Sequence, residues 1–241
     1  MSKHLKTFLA GLAILLFLAG CYGLGGGKLK LPAPPLETGR NFLVGQEMEK
    51  PGYGLYSYLL FGSPPSNAEQ KERYRQAISA YLKIFPAIEG LEEYLPLRQL
   101  NLTYVLLDST PPPQITAEWV LAHYNYTRAR ILLRAVPKAQ RDGPYIISCC
   151  LPLTGVTTLT GQYLYQDLSA VPRKLVFEWV KQFRHQAAQE NFSTASGVRN
   201  LTLNLLTAIE IAAEGLPNVQ AALKGWVAWI GEVGSPKTSA R

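Results

Sequence analysis

Three short apolar runs constrain the fold of this chain more than any other feature of its sequence. They cover residues 53–62 (YGLYSYLLFG), 102–107 (LTYVLL) and 145–151 (YIISCCL). Each is bounded by proline, glycine or aspartate, and each is rich in aromatic or β-branched side chains. Runs of this length and composition are typical of strands that are buried on both faces of a sheet. We therefore predict a sheet that contains all three.

Segments with helical spacing of apolar residues lie between these runs. Ser66-Asn67-Ala68-Glu69 has the pattern of a capping box, in which a Ser oxygen and a Glu carboxylate each bind a free amide at the start of a helix. The helix predicted there ends at Pro86. Its expected buried face consists of Tyr74, Ile78, Tyr81, Leu82 and Phe85. Thr116 is expected to cap a further helix.

The C-terminal part is predicted to be helical, with three amphipathic helices. Their apolar positions are Leu175, Val176, Trp179, Val180, Phe183 and Ala187 in the first, Val198, Leu201, Leu205, Ala208, Ile209 and Ala212 in the second, and Val219, Leu223, Trp226 and Ile230 in the third. A Thr- and Gly-rich stretch at 154–165 predicts a hairpin. Together these patterns predict an α/β or α+β fold, with a small sheet of three to five strands packed against helices.

The first 21 residues read MSKHLKTFLAGLAILLFLAGC. Lys3 and Lys6 precede an uncharged run from Phe8 to Leu18. A short basic region followed by roughly 7–15 apolar residues is typical of a secretory signal, and it is too short to span a bilayer comfortably. The run ends in Leu18-Ala19-Gly20-Cys21, which resembles the lipobox of bacterial lipoproteins. The resemblance covers about a tenth of the 241 residues.

This resemblance implies cleavage between Gly20 and Cys21, thioether lipidation of Cys21 and acylation of its new amino group. Two or three acyl chains would hold the protein firmly on a membrane. Tyr22 stands where the inner-membrane retention signal of enterobacteria has Asp, which favours the outer membrane, facing the periplasm, if the host is Gram-negative. An uncleaved anchor, or an ordinary signal peptide with an incidental Cys, is the alternative.

The expected organisation has four parts. Residues 1–20 form the signal peptide, 21–40 the lipidated Cys and a flexible Gly/Pro tether, 41–233 a single globular domain, and 234–241 a polar tail. The net charge of +7 includes Lys3 and Lys6, which cleavage would remove. The remaining charge is too small for a nucleic-acid footprint, so no nucleic-acid partner is expected.

Cys149-Cys150 is the most unusual pair in the chain. It is consistent with a redox switch, or with a Cys nucleophile aided by a His. Adjacent Cα atoms are about 3.8 Å apart, below the usual range for a disulfide. The favoured interpretation is therefore two buried thiols in a core strand, with their side chains on opposite faces.

Other reactive residues form no recognisable motif. After cleavage the histidines are His123 and His185, and neither has the spacing of a catalytic triad. No CxxC, HExxH, P-loop, GxGxxG or GxSxG occurs, so no metal or other cofactor is expected. The carboxylates at predicted strand or loop ends are a weak signal for a site; they are Asp108, Asp142 and Asp167.

A basic segment contains Arg128, Arg130, Arg134, Lys138 and Arg141. A solvated helix edge is favoured over contact with lipid phosphates. Trp226 and Trp229 are expected to close the core, with a membrane interface as the alternative.

The sequence thus predicts a membrane-anchored envelope lipoprotein that binds an envelope protein or component, and the expectation leans away from an enzyme. The charge-poor helices at 196–230 are the expected docking surface. The alternative is an envelope hydrolase or thiol-dependent enzyme that uses Cys149 with a His or Asp partner.

Overall fold

A strand begins the part of the chain that the structure describes. The structure is a computed structural model, and it describes residues 36–137, 139, 142–190, 192, 195–216 and 219–230. Strand β1 covers Glu37–Val44. The first strand therefore includes residues 37–40, which were expected to belong to the tether at 21–40. The signal, Cys21 and the tail at 234–241 lie outside the described residues.

The remaining elements follow in chain order. The strands are β2 Leu55–Leu60, β3 Leu100–Leu107, β4 Tyr145–Cys149, β5 Tyr163–Asp167 and β6 Val227–Ile230. The helices are α1 Ala68–Ile84, α2 Ile88–Glu92, α3 Ala117–Ala122, α4 Tyr126–Arg134, α5 Arg173–Ala187, α6 Ala195–Ala212 and α7 Val219–Trp226, and a 3₁₀ turn covers Leu97–Gln99.

The strands form one mixed sheet in the order β1-β3-β2-β4-β5-β6. Strands β1, β3 and β2 are parallel, whereas β4, β5 and β6 each pair antiparallel with the preceding strand in that order. This confirms the mixed α/β class, but the sheet has six strands instead of three to five. Every residue of β2 and β3 is buried, as predicted for strands covered on both faces.

Helix α1 begins one residue later than the capping box predicted. Asn67 is the N-cap, and its Oδ1 accepts a hydrogen bond from Gln70 N at 2.8 Å. Gln70 Oε1 in turn accepts from Ser66 N at 2.7 Å. The forward bond of a capping box is therefore present, with Asn67 and Gln70 in the places expected for Ser66 and Glu69, whereas the return bond comes from the amide of Ser66, one residue before the N-cap.

Tertiary pairing overrides the helical pattern at the C-terminal end. Helix α5 buries all six of its predicted apolar positions. The last predicted helix, by contrast, ends at Trp226, and Val227–Ile230 pairs with β5 as β6. The residues of β6 include Val, Trp and Ile, which fit a strand well. The hairpin expected at 154–165 is also wrong, because β5 begins at Tyr163 and pairs with β4.

A row of buried polar side chains crosses four strands. Asn101 Nδ2 donates to Thr38 Oγ1 at 3.3 Å, Ser57 Oγ donates to Asn101 Oδ1 at 3.0 Å, and the Oγ atoms of Ser57 and Ser148 are 2.8 Å apart. All four side chains are at most 1% exposed. We call these four residues the polar row; they satisfy one another where no water reaches them.

The polar row lies on the face of the sheet that α1 covers. Phe42 of β1 contacts the ring of Tyr81 of α1, with ring centroids 5.8 Å apart. Thr38 is four residues from Phe42 on the same strand, and side chains alternate along a strand, so Thr38 shares that face. Tyr81 OH also donates to Thr103 O at 3.1 Å, which holds α1 against β3.

The polar row provides the first prediction. Asn101→Leu removes both hydrogen bonds of the central amide and leaves Thr38 Oγ1 without this donor. We expect the free energy of unfolding to fall by about 1–3 kcal/mol, the cost of an unsatisfied buried polar group. Urea unfolding measures it. The control Asn200→Leu, at an exposed position of α6, is expected to change stability by less than about 0.5 kcal/mol; equal effects of the two substitutions would contradict the role of the row.

Candidate functional site

The strand order forces an unusual connection between β1 and β2. The two strands are parallel and β3 lies between them, so residues 45–54 must return along the sheet and pass β3. We call residues 45–54 the crossing segment. Ten residues reach at most about 36 Å, and an eight-residue strand is about 26 Å long. The segment therefore has little slack, and it contains no helix.

The crossing segment lies on the face of the sheet opposite α1. Ser57 belongs to the polar row on the α1 face, so the next side chain, Tyr58, points to the other face. Tyr58 OH donates to Glu49 Oε1 of the crossing segment at 2.8 Å. The ring of Tyr58 stacks on Tyr104 of β3, with centroids 5.8 Å apart. The crossing segment thus lies over tyrosines of β2 and β3.

Side chains from other elements supply the hydrogen bonds that the irregular backbone of this segment needs. Arg128 of α4 is 6% exposed; its Nη1 donates to Gly45 O at 3.1 Å and its Nη2 donates to Glu47 O. Tyr56 OH donates to Lys50 O at 3.2 Å. These contacts join the backbone of the crossing segment to α4 and β2.

Glu49 is the central contact of the crossing segment. It is 6% exposed, and its Oε1 accepts hydrogen bonds from Tyr58 OH, from Thr154 N at 3.0 Å and from Thr154 Oγ1 at 2.9 Å. Arg128 Nη2 donates to Thr154 Oγ1 at 3.2 Å. Desolvation raises the pKa of Tyr58 well above its usual value, so this phenol remains a hydrogen-bond donor. Glu49, Thr154 and Arg128 therefore join the crossing segment, the β4–β5 connection and α4.

A cavity of about 560 Å³ lies at the β2 end of the crossing segment. Its lining comes from the crossing segment and β2, the 3₁₀ turn, the β4–β5 connection and the stretch after α5. The lining residues are Pro51, Gly52, Tyr53, Gly54, Tyr56, Arg98, Cys150, Leu151, Pro152, Gln162 and Phe192. Most of this surface is aromatic or apolar, and among the described lining residues Arg98 is the one with a charged side chain. The volume lies within the usual range for small-molecule sites.

The cysteine pair is divided between core and surface. Cys149 is buried at the end of β4, its Sγ donates to Leu151 O at 3.0 Å, and burial raises its pKa to about 12. Cys150 is exposed and lines the cavity, so the expectation of two buried thiols is wrong for this residue. No His or Asp is hydrogen-bonded to Cys149 in the described part of the chain. Because a neutral buried thiol is a poor nucleophile, this environment opposes catalysis by Cys149.

The two histidines lie in separate local environments. His123 stacks on Trp119 with centroids 4.2 Å apart, and its Nδ1 is 2.8 Å from Trp119 O. His185 is exposed on α5, and its Nε2 lies 2.9 Å from Gln189 Nε2. Within the described residues, no group of three His, Cys, Asp or Glu side chains is placed to hold a metal ion.

The candidate carboxylates make local contacts. Asp167 Oδ1 accepts from Ser169 N at 2.8 Å, and Asp142 Oδ1 accepts from Ser63 Oγ at 3.3 Å. Asp108 is exposed at the end of β3, where its backbone N donates to His123 O at 2.9 Å. These contacts stabilise turns and strand ends, and they do not form a catalytic arrangement of carboxylates.

The basic segment is not a continuous surface. Arg128 is buried beneath the crossing segment, whereas Arg130 and Arg134 are exposed on α4. Lys138 and Arg141 lie outside the described residues. The expected helix edge is therefore confirmed for Arg130 and Arg134 and wrong for Arg128.

The charge-poor helices are largely packed into the core. Helix α6 buries Val198, Leu201, Leu205 and Ile209, and its exposed large apolar side chains are Leu203 and Ile211. Trp226 contacts Trp179 with centroids 6.1 Å apart, which supports a role in the core; the side chain of Trp229 lies outside the described residues. Within the described side chains of 196–230, the exposed large apolar groups that could form the expected docking surface are Leu203 and Ile211 of α6.

Sequence reasoning missed the residues that build this site. Glu49 lies in the polar stretch GQEMEKPGYG, where nothing marks one carboxylate as buried. Arg98 lies in the turn that follows Pro96, and no sequence motif marks it as a site residue. The available signal was the density of tyrosines at 53, 56 and 58, which the sequence analysis assigned to a strand.

No family model, no curated protein and no solved structure matches the chain. Its function is therefore argued from its own residues and their contacts.

The contact between Glu49 and Thr154 gives a second prediction. Thr154→Val keeps the shape of the side chain but removes the hydroxyl that bonds both Glu49 and Arg128. We expect the free energy of unfolding to fall by about 1.5–3 kcal/mol, because both partners are ionisable groups that lose a buried hydrogen bond. Chemical unfolding measures it. Thr207→Val, at an exposed position of α6, is the matched control, and a loss no larger than that of the control would contradict the contact.

The environment of Cys149 gives a third prediction, on pH dependence. Unfolding returns its pKa from about 12 towards 9, so above pH 9 the unfolded chain loses a proton that the folded chain keeps. The stabilisation by the buried thiol is therefore complete below pH 9 and decreases as the pH rises towards 12. We expect the stability difference between wild type and Cys149→Ala to fall by about 1 kcal/mol between pH 8.5 and 10. Urea unfolding under reducing conditions tests this, and a constant difference would contradict it.

Proposed function

We propose that the chain is a lipid-anchored protein of the bacterial cell envelope, and that its α/β domain is a binding domain and not an enzyme. The observation that carries the anchor is Leu18-Ala19-Gly20-Cys21 after a basic N-terminus and an apolar run. In a Gram-negative host, Tyr22 favours the outer membrane, facing the periplasm. The proposed binding partner is an envelope protein or another envelope component.

The position of β1 is consistent with this organisation. Fifteen residues separate Cys21 from Glu37, the first residue of β1. A fully extended chain of that length reaches about 54 Å at most. A lipid on Cys21 would therefore keep the domain within this distance of the membrane surface. None of the helices in the described residues has the length and apolar character needed to cross a membrane.

The contacts of the reactive side chains favour binding over catalysis. Glu49 and Arg128 hold the crossing segment, Cys149 is a buried neutral thiol, and His123 is stacked on Trp119. The cavity, by contrast, is lined mainly by apolar and aromatic groups, with few polar ones. Such a composition is typical of a ligand site. The alternative of a hydrolase or thiol enzyme using Cys149 has less support, because Cys149 Sγ donates to Leu151 O.

The fourth prediction tests the anchor. The natively expressed protein should have the mass of residues 21–241 plus lipid and should sediment with membranes. Cys21→Ala should be released or retained as the unprocessed precursor, because the thioether cannot form. Intact mass spectrometry and membrane fractionation measure both outcomes. Cys150→Ala is the matched control and should remain lipidated; an unlipidated wild type would contradict the proposal.

A further inference from the structure

We propose that the cavity lined by Tyr53, Tyr56 and Arg98 binds a small organic carboxylate with an apolar body, its carboxylate paired with Arg98. This inference names a ligand class for the proposed binding function and rests on it. It does not depend on the lipid anchor.

The walls of the cavity suit an apolar body. Tyr53, Tyr56 and Phe192 are each at most 5% exposed, so their rings are held in place by the core. The rings of Tyr53 and Tyr56 contact each other edge to face, with centroids 5.8 Å apart. Rigid aromatic walls of this kind bind an apolar group with little loss of side-chain freedom.

The charges around the cavity favour an anion. Glu92 is already bound, because Lys50 Nζ lies 2.8 Å from its Oε2 and Tyr53 OH donates to its Oε1. Arg98 is exposed, and its guanidinium makes no hydrogen bond or ion pair with any residue that the structure describes. The charge available to a ligand is therefore positive, and a guanidinium can bind a carboxylate with two parallel hydrogen bonds.

The position of Arg98 is fixed by its backbone. The crossing segment meets the 3₁₀ turn at Gly54, whose N donates to Leu97 O of the turn at 3.3 Å and to Leu100 O of β3 at 3.0 Å. A Cβ at residue 54 would lie 2.3 Å from Arg98 O, so only glycine fits this approach. The same contact that closes the crossing segment therefore places Arg98 at the edge of the cavity before any ligand arrives.

Cys150 provides a reporter inside the site. Its thiol is free and lines the cavity, whereas Cys149 beside it is buried. Cys150 belongs to the cavity lining and its Sγ donates to Phe192 O at 3.5 Å, so a thiol reagent that reacts with Cys150 contacts this lining. The reaction rate of Cys150 therefore reports how well the cavity accepts the reagent, and Cys149 shows whether the fold has opened.

The first experiment compares an anionic with a neutral reagent. 5,5′-Dithiobis(2-nitrobenzoate) is an aromatic carboxylate; the Cys150 thiolate forms a mixed disulfide with one half of it and releases the other half as a thiolate. N-Ethylmaleimide is neutral and adds to the same thiol. Rates are measured on the natively expressed full chain, whether membrane-bound or released, by mass spectrometry of the peptide that carries Cys149 and Cys150.

We expect Arg98→Gln to slow the anionic reagent about fivefold, the effect of one nearby charge pair in a largely solvated site, and to leave the N-ethylmaleimide rate unchanged. The control Arg130→Gln, at an exposed arginine on α4 that does not line the cavity, should change neither rate. An anionic rate that Arg98→Gln leaves unchanged would overturn the role of Arg98. An equal loss for both reagents would show that the substitution alters access and would also overturn it.

A second experiment measures reversible binding by the same thiol. Millimolar 4-phenylbutyrate should protect Cys150 from N-ethylmaleimide at least threefold, whereas neutral 4-phenylbutanamide should protect it less, and Arg98→Gln should abolish the difference. Equal protection by the two compounds, or none by either, would overturn the proposal. Failure of the anchor would appear in the mass and fractionation of the protein and not in these rates, so the two proposals can fail separately.

Discussion

The crossing segment is the constraint on which the rest of this structure depends. Parallel strands β1 and β2 flank β3, so ten residues must cover the length of the sheet without room for a helix. Irregular backbone can be buried only if its polar groups find partners. Arg128 and Tyr56 donate to backbone carbonyls of the segment, and the Glu49 carboxylate, which accepts from Tyr58 OH, fixes the middle of the segment to Thr154. The tyrosines of β2 thus stabilise the crossing segment as well as the core.

The two faces of the central strands are held by different polar systems. On the α1 face, Ser57 belongs to the polar row that links four strands. On the opposite face, the next residue, Tyr58, binds Glu49. Because successive side chains of a strand alternate between faces, a shift of β2 by one residue would break both systems at once. The register of β2 is therefore specified by polar contacts as well as by burial. The same contacts hold the β2 residues that line the cavity in place.

Local patterns in the sequence predicted the helices and strands whose conformation follows from their own residues. The six apolar positions of α5, the Thr116 cap and the buried strands β2 and β3 follow from periodicity and side-chain chemistry. Strands β1 and β6 did not, because each lies at an edge of the sheet and owes its conformation to a neighbour distant in sequence. The site escaped prediction for the same reason: the partner of Glu49 is Thr154, 105 residues away, and no local signal joins them.

The cavity and the point where the chain enters the domain lie at the same end of the sheet. Glu37 of β1 is paired with Leu100, and Leu55 of β2 with Asn101, so the starts of the parallel strands share one end. Cys149 of β4 and Tyr163 of β5 are paired at that end as well, next to Cys150 and Gln162 of the cavity lining. The chain thus enters β1 at the end of the sheet that carries the cavity. Short tethering raises the local concentration of anything held at the same surface, and an apolar carboxylate partitions to membranes through its body while its charge stays in water. The proposed anchor and the proposed ligand class are therefore physically compatible.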